Sequence, residues 1–135
     1  MKSPTLTRKE TLLWILVPML LTFAAMRLFL HFIKVQHVYP GGYLVHHLFT
    51  GCLIVLPAAF VLAFGPRRRL TAVLTRAALG SGSAMILDEM VYLVATRASD
   101  DDYVSALSLR GAFVFVALGV ALLLLTYRLS KRPKG

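Results

Sequence analysis

Cysteine is almost missing from this 135-residue sequence. The single Cys52 lies inside an apolar run, which excludes an intrachain disulfide and any dithiol redox couple, and a packed, inert thiol is the expectation. Acids are scarce as well, with six Asp and Glu against fifteen Lys and Arg. Long polar stretches that could form an extramembrane domain are absent. What remains is 58% apolar with a mean hydropathy of +0.73, too hydrophobic for a water-soluble fold and too short for more than one domain.

The net charge of +9 does not describe a nucleic-acid-binding protein. Such a protein needs basic side chains on a folded soluble surface, whereas here Lys and Arg flank apolar runs and serve as topology determinants and contacts for anionic lipid headgroups. The lipid bilayer is therefore the expected partner.

A hydrocarbon slab needs about 20 apolar residues per helix, and four such stretches consume most of the chain. The expected fold is an all-α membrane protein, a single four-transmembrane-helix bundle over residues 1–135 with helices at about 11–33, 43–64, 77–96 and 105–127. Pro18 and Pro57 lie within spans, where neighbouring helices tolerate them. Pro40-Gly41-Gly42 and Gly65-Pro66 break the pattern, residues 70–76 read as interfacial, and Ser99-Asp100-Asp101-Asp102 reads as a helix N-terminus whose acids complement the dipole. The first span resembles a secretory signal in its flanking charge, but Arg27 and a further apolar segment follow at once, so an uncleaved signal anchor is expected.

Lys2, Arg8, Lys9, Arg67, Arg68, Arg69, Arg76, Arg128, Lys131, Arg132 and Lys134 make eleven basic residues on one side, against Lys34 and Arg97 on the other. The positive-inside rule places the eleven, and with them both termini, in the cytoplasm. With a rise of about 1.5 Å per residue, Arg27 then lies about 9 Å below the outer surface, His46 about 6 Å, Asp88 about 12 Å and Arg110 about 7 Å. His31, His37, His47, Glu89 and Asp100 to Asp102 belong to the same outer half, which thus holds every histidine and five of the six acids.

Ionisable groups in a bilayer cost a few kcal/mol each or more and turn toward partners inside the bundle. Three readings follow. In the first, Arg27, Arg110, Asp88 and Glu89 form a neutral structural salt-bridge network. In the second, His46, His47, Asp88 and Glu89, with His31 as a third histidine, ligate zinc, iron or manganese through nitrogen and oxygen; adjacent helical residues diverge by about 100°, so one of each pair is expected to point inward and the other to support it. In the third, Arg27 and Arg110 hold an anionic headgroup beside Tyr92, Tyr43 and Tyr103.

Several cofactor signatures are missing. Four histidines cannot build the di-iron centre of membrane desaturases, and Glu89 is followed at the Glu-x-x-His spacing by Tyr92, unlike carboxylate-bridged di-iron bundles. A haem held by His31 and His46 would have nothing else in the sequence to specify a porphyrin. Gly80 with Ala84, and Gly111 with Phe115 and Gly119, have the small-residue spacing of close helix packing.

Two motifs carry a resemblance: His46-His47-x-x-x-Gly51, and Gly80-x-Gly82-x-x-x-x-Leu87-Asp88-Glu89 followed by Tyr92 and Asp100-Asp101-Asp102-Tyr103. Over roughly residues 25–112 the chain resembles a group of uncharacterised small bacterial polytopic integral membrane proteins. The resemblance implies a bacterial inner (plasma) membrane setting and no particular activity.

Two functions from different classes fit these observations. One is metal-assisted hydrolysis of a lipid or lipid-linked substrate, with Glu89 or Asp88 as base and Arg27, Arg110 and Tyr92 at the headgroup. The other is a non-catalytic binding or accessory protein, a homo-oligomer or member of a larger membrane complex, in which the polar cluster fixes helix register. A proton or ion pathway would need polar groups through both leaflets, and the inner half has almost none.

Overall fold

The computed structural model describes residues 6–32, 46–97 and 100–130, and these form helices joined by short connections. They are α1 (Arg8–Phe32), α2 (His47–Phe64), α3 (Arg69–Ala95), the one-turn α4 (Asp100–Tyr103) and α5 (Ala106–Leu129). α1, α2, α3 and α5 are long and apolar enough to cross a membrane. In such a setting a helix satisfies its own backbone groups, which is why four uninterrupted apolar runs become four helices.

The helix ends follow from local chemistry. Thr7 and Glu10 form a reciprocal capping box at the start of α1: the Glu10 amide donates to Thr7 Oγ1 (3.2 Å) and the Thr7 amide to Glu10 Oε2 (2.8 Å). α2 ends at Gly65, held in extended backbone by the proline that follows it. α5 is capped by Ser105, whose hydroxyl accepts from the Ser108 amide (3.2 Å). The three aspartates expected to open that helix instead begin the separate turn α4, because Ser105 is the residue with extended backbone immediately before the apolar run. Residues 70–76, expected to be an interfacial segment, belong to α3, which starts at Arg69 and runs through Pro-free sequence without a break. Both interior prolines, Pro18 and Pro57, are accommodated within their helices.

α3 is the hub. It packs against α1, α2 and α5, while α1 and α5 share a smaller contact. Small residues permit this. A β-carbon at Gly80 would lie 2.1 Å from the Ile15 carbonyl oxygen of α1, and one at Gly51 would lie 2.6 Å from the Gly82 carbonyl oxygen, so α3 meets both neighbours backbone to backbone. Lipid offers helices no hydrophobic drive to associate, and such close approach supplies the dispersion that replaces it. Met19, Phe23, Ala84, Ala112 and Val116 form the core between α1, α3 and α5, with Phe23 edge-on to Phe113. Leucines and phenylalanines such as Leu21, Leu53, Phe60 and Leu122 face outward.

The ion pair between Arg69 and Glu10 (2.5 Å), with the contact from Arg8 to the Ser130 carbonyl, brings the start of α1, the start of α3 and the end of α5 to one end of the bundle. The ionisable cluster lies toward the other end.

Candidate functional site: a buried ionic node

Each of three helices presents a stripe at four-residue spacing to the bundle interior, and each stripe is apolar or small until it reaches a polar member. On α1 it runs Met19, Phe23, Arg27; on α3, Gly80, Ala84, Asp88, Tyr92; on α5, Val116, Ala112, Ser108. The polar members meet. Asp88 is 0% exposed, and its Oδ1 accepts from Arg27 Nε at 2.5 Å. Its Oδ2 accepts from His47 Nε2 at 3.0 Å and from the Tyr103 hydroxyl.

Arg27 is saturated. Beyond Asp88 Oδ1, its Nη1 donates to the Tyr103 carbonyl (2.9 Å) and its Nη2 to the Asp88 carbonyl (3.1 Å) and Ser108 Oγ (3.3 Å). The guanidinium carbon stacks 4.3 Å from the centroid of the Tyr103 ring. One side chain of α1 thereby ties together α3, α4 and α5, using the planar fork that lysine lacks.

Glu89, 2% exposed, engages the start of α2. Its Oε2 accepts from the Leu48 amide at 2.7 Å, and its Oε1 lies 3.4 Å from His46 Nδ1 and 3.1 Å from His47 Nδ1. α2 has no side-chain cap of its own at His46, so a carboxylate from the neighbouring helix takes that place at its positive end. His47 thus stands between two carboxylates with a ring nitrogen toward each. The node thus gathers the guanidinium of Arg27, the imidazoles of His46 and His47 and the two carboxylates Asp88 and Glu89. Tyr92 packs against the His46 and Tyr103 rings and closes the cluster.

Four of the expected site residues, His46, His47, Asp88 and Glu89, therefore come together with Arg27 and Tyr92. The expectation that only one of each adjacent pair turns inward is corrected. His46 is the extended residue before α2 rather than part of it, so the two imidazoles do not diverge by a helical step, and α3 has neighbours on enough of its circumference to bury both acids. Two expected members stand apart. His31 is exposed, its ring edge against Phe32, one turn past Arg27. Arg110 is exposed because Ser108, two residues earlier, takes the inward face of α5. His37 and Tyr43 lie outside the described residues. Tyr103, expected beside Arg27 as a headgroup contact, instead donates to Asp88, and Ser108 is a partner that the sequence analysis did not name, although the stripe through Ala112 and Val116 pointed to it.

Among the described residues, no side-chain nitrogen or oxygen that is itself sealed from solvent lacks a hydrogen-bond partner. Nor is any group of three or more His, Cys, Asp and Glu residues among them arranged to hold a metal ion. Both carboxylates already accept from protein donors. Beside the node, an open cleft of about 440 Å³ is lined by Ala25, Met26 and Phe29 of α1, Met85 of α3 and His47 of α2. Its walls are apolar, and His47 is their ionisable member. Comparison of the chain with protein-family models, curated proteins and solved structures gave no match.

Proposed function

We propose that this protein is a non-catalytic binding protein of the bacterial plasma membrane, with both termini cytoplasmic, which takes an acyl chain of a lipid or lipid-linked molecule into the cleft beside His47. In this reading the ionic node is structural. It holds α1, α2 and the α4 turn on α3, and so fixes the width of the cleft between α1 and α2.

The engagement of His47, Asp88 and Glu89 with one another and with Arg27 is the observation that carries the reading. A hydrolytic centre needs a nucleophile or base free to meet its substrate, but both nitrogens of His47 face carboxylates, and Asp88 and Glu89 lie behind them, sealed and engaged. What the cleft offers an incoming molecule is an apolar lining with one polar edge, the composition of a site for a hydrocarbon chain. The charge bias of the chain supports the orientation, and its motifs support the bacterial setting.

A photoactivatable fatty-acyl phospholipid reconstituted with the purified protein tests the proposal. Crosslinks are expected at Met26, Phe29 or Met85, and Met85→Trp, which fills the cleft, is expected to abolish them while the helical fold persists. Crosslinks spread evenly over the outward-facing leucines, unaffected by Met85→Trp, would show ordinary lipid contact and defeat the reading.

One geometric feature favours a second reading, metal binding. His46 Nδ1 and His47 Nδ1 lie 3.4 and 3.1 Å from the same oxygen of Glu89, a spacing like that between neighbouring ligand atoms around a zinc ion with bonds of about 2.0–2.1 Å. Elemental analysis of detergent-purified protein separates the readings: stoichiometric zinc, iron or manganese lost in His46→Ala would favour the metal.

A further inference from the structure

The end of the bundle where α1 and α3 begin carries a second polar feature that the node does not explain. A cavity of about 250 Å³ lies at the α2–α3 connection, walled by Val61, Leu62 and Pro66 on one side and by Arg67, Thr75 and Arg76 on the other. At about 30 Å³ per water, this is room for about eight waters. It accommodates a tetrahedral phosphate with space to spare.

Its charge is uncompensated. Glu10 is the acid of this end among the described residues, and it is committed to Arg69 at 2.5 Å. Arg67 has neither a hydrogen-bond nor an ion-pair partner among the described residues. Arg76 donates its Nε to Thr11 Oγ1 (3.2 Å) and its Nη1 to the Ala72 carbonyl (3.0 Å), contacts that aim the guanidinium without neutralising it. The first turn of α3 contains no acid, and Arg68 supplies no side-chain cap, so the positive end of the helix dipole adds to the same field.

Thr75 points independently to a ligand. The residue is 6% exposed and borders the cavity, and its hydroxyl makes no hydrogen bond among the described residues, which leaves that oxygen open rather than sealed. A threonine inside a helix ordinarily returns its hydroxyl to a carbonyl of the preceding turn, as Thr126 does with Leu122 and Leu123. A hydroxyl at a cavity that two arginines and no acid line complements an anion with several acceptor oxygens.

We propose that this cavity binds a phosphate-ester group through Arg67, Arg76 and Thr75. Two sources share that chemistry, the headgroup of an anionic phospholipid and a soluble phosphate. The exposed apolar edge at Val61 and Leu62 would receive the acyl chains of the former. The inference is independent of the node and of the acyl cleft.

The test uses the full chain in neutral detergent, with native mass spectrometry and thermal shift as readouts. The probes are phosphatidylglycerol, phosphatidylcholine and inorganic phosphate. One phosphatidylglycerol per chain is expected to survive gentle activation, while phosphatidylcholine does not. Arg67→Gln, which breaks no hydrogen bond or ion pair among the described residues, is expected to weaken binding at least tenfold, and the isosteric Thr75→Val several-fold. Arg128→Gln, which removes the same charge at the same end but does not line the cavity, should change it less than twofold. Saturable inorganic phosphate binding with the same residue dependence would support the site and identify the soluble source. Equal losses in Arg128→Gln and Arg67→Gln would reduce the effect to diffuse charge, and the absence of saturable binding of either phosphate probe would also overturn the proposal.

Discussion

Arg27 Nε and Asp88 Oδ1 stand 2.5 Å apart across 61 residues of sequence, at the polar end of stripes that are otherwise apolar or small. Breaking one side of such a pair leaves a buried charge without its counterion, at a cost of about 3–5 kcal/mol. Arg27→Met is therefore expected to destabilise the protein by that amount. Asp88→Asn in the same chain should recover a good part of the loss, because the asparagine oxygen still accepts from Tyr103 or His47 without carrying charge. Thermal or denaturant unfolding in detergent, run as a double-mutant cycle, measures the coupling, expected at about 2 kcal/mol. Additive losses would mean that the two side chains do not interact.

Glu89 offers a separate test, because it combines a charge with a helix cap. Glu89→Ala orphans the Leu48 amide at the start of α2 and is expected to cost about 2 kcal/mol. Glu89→Gln keeps an oxygen for that amide and should cost less than half as much. Hydrogen exchange at Leu48 gives the local readout: protection should be lost in Glu89→Ala and retained in Glu89→Gln.

The four spans were legible because hydropathy and charge punctuation act locally, through the demand that a backbone in lipid satisfy itself. The gathering of His46, His47, Asp88 and Glu89 was legible from depth alone, since similar depth on neighbouring helices leaves few places for ionisable groups to go. Rotation about each helix was harder to read. Arg110 and Arg27 lie at comparable depth, yet the first faces outward and the second inward, and the deciding information is the stripe each residue shares with its neighbours four positions away. Ser108 shares the Ala112–Val116 stripe, and Arg110 does not. The role of Tyr103 depends on how α4 folds back over the node, which no periodicity in a four-residue turn can disclose.

Tyr103 lies outside the long helices and gives the node a pH signature. Burial first, and then the Asp88 carboxylate to which it donates, hold its phenol well above the ordinary value of 10.0. A folded value raised above the unfolded one means that the phenol's contribution is complete below about pH 10 and is lost as pH rises beyond it. Tyr103→Phe should lower stability by about 1–3 kcal/mol at pH 7. The gap between the two proteins should then narrow from pH 10 upward, since only the wild-type phenol has a proton to lose in the unfolded chain. Melting temperatures of both proteins between pH 7 and 11 provide the check, and a gap that is constant with pH would remove Asp88 from the phenol's environment.

The close approach of α1 and α3 predicts a contrast between two glycines. At Gly80 an added methyl would meet the Ile15 carbonyl oxygen at 2.1 Å, a backbone atom that can move only with its helix. Gly80→Ala is expected to cost about 3 kcal/mol through separation of α1 from α3. At Gly119 the same methyl would meet the Leu87 Cδ1 and Met19 Cε atoms at 2.8 and 3.0 Å, the free ends of two flexible side chains. Those ends can swing aside, and alanine recovers about 1 kcal/mol of helix propensity, so Gly119→Ala should be close to neutral. The separation of α1 from α3 in Gly80→Ala would also pull Arg27 from Asp88. Its loss should therefore be smaller in the Arg27→Met background than in the wild type, whereas the effect of Gly119→Ala should be the same in both. Unfolding midpoints of these four glycine variants and their two parents decide this, and a Gly80→Ala effect indifferent to Arg27 would mean that the backbone contact and the ionic node are not mechanically linked.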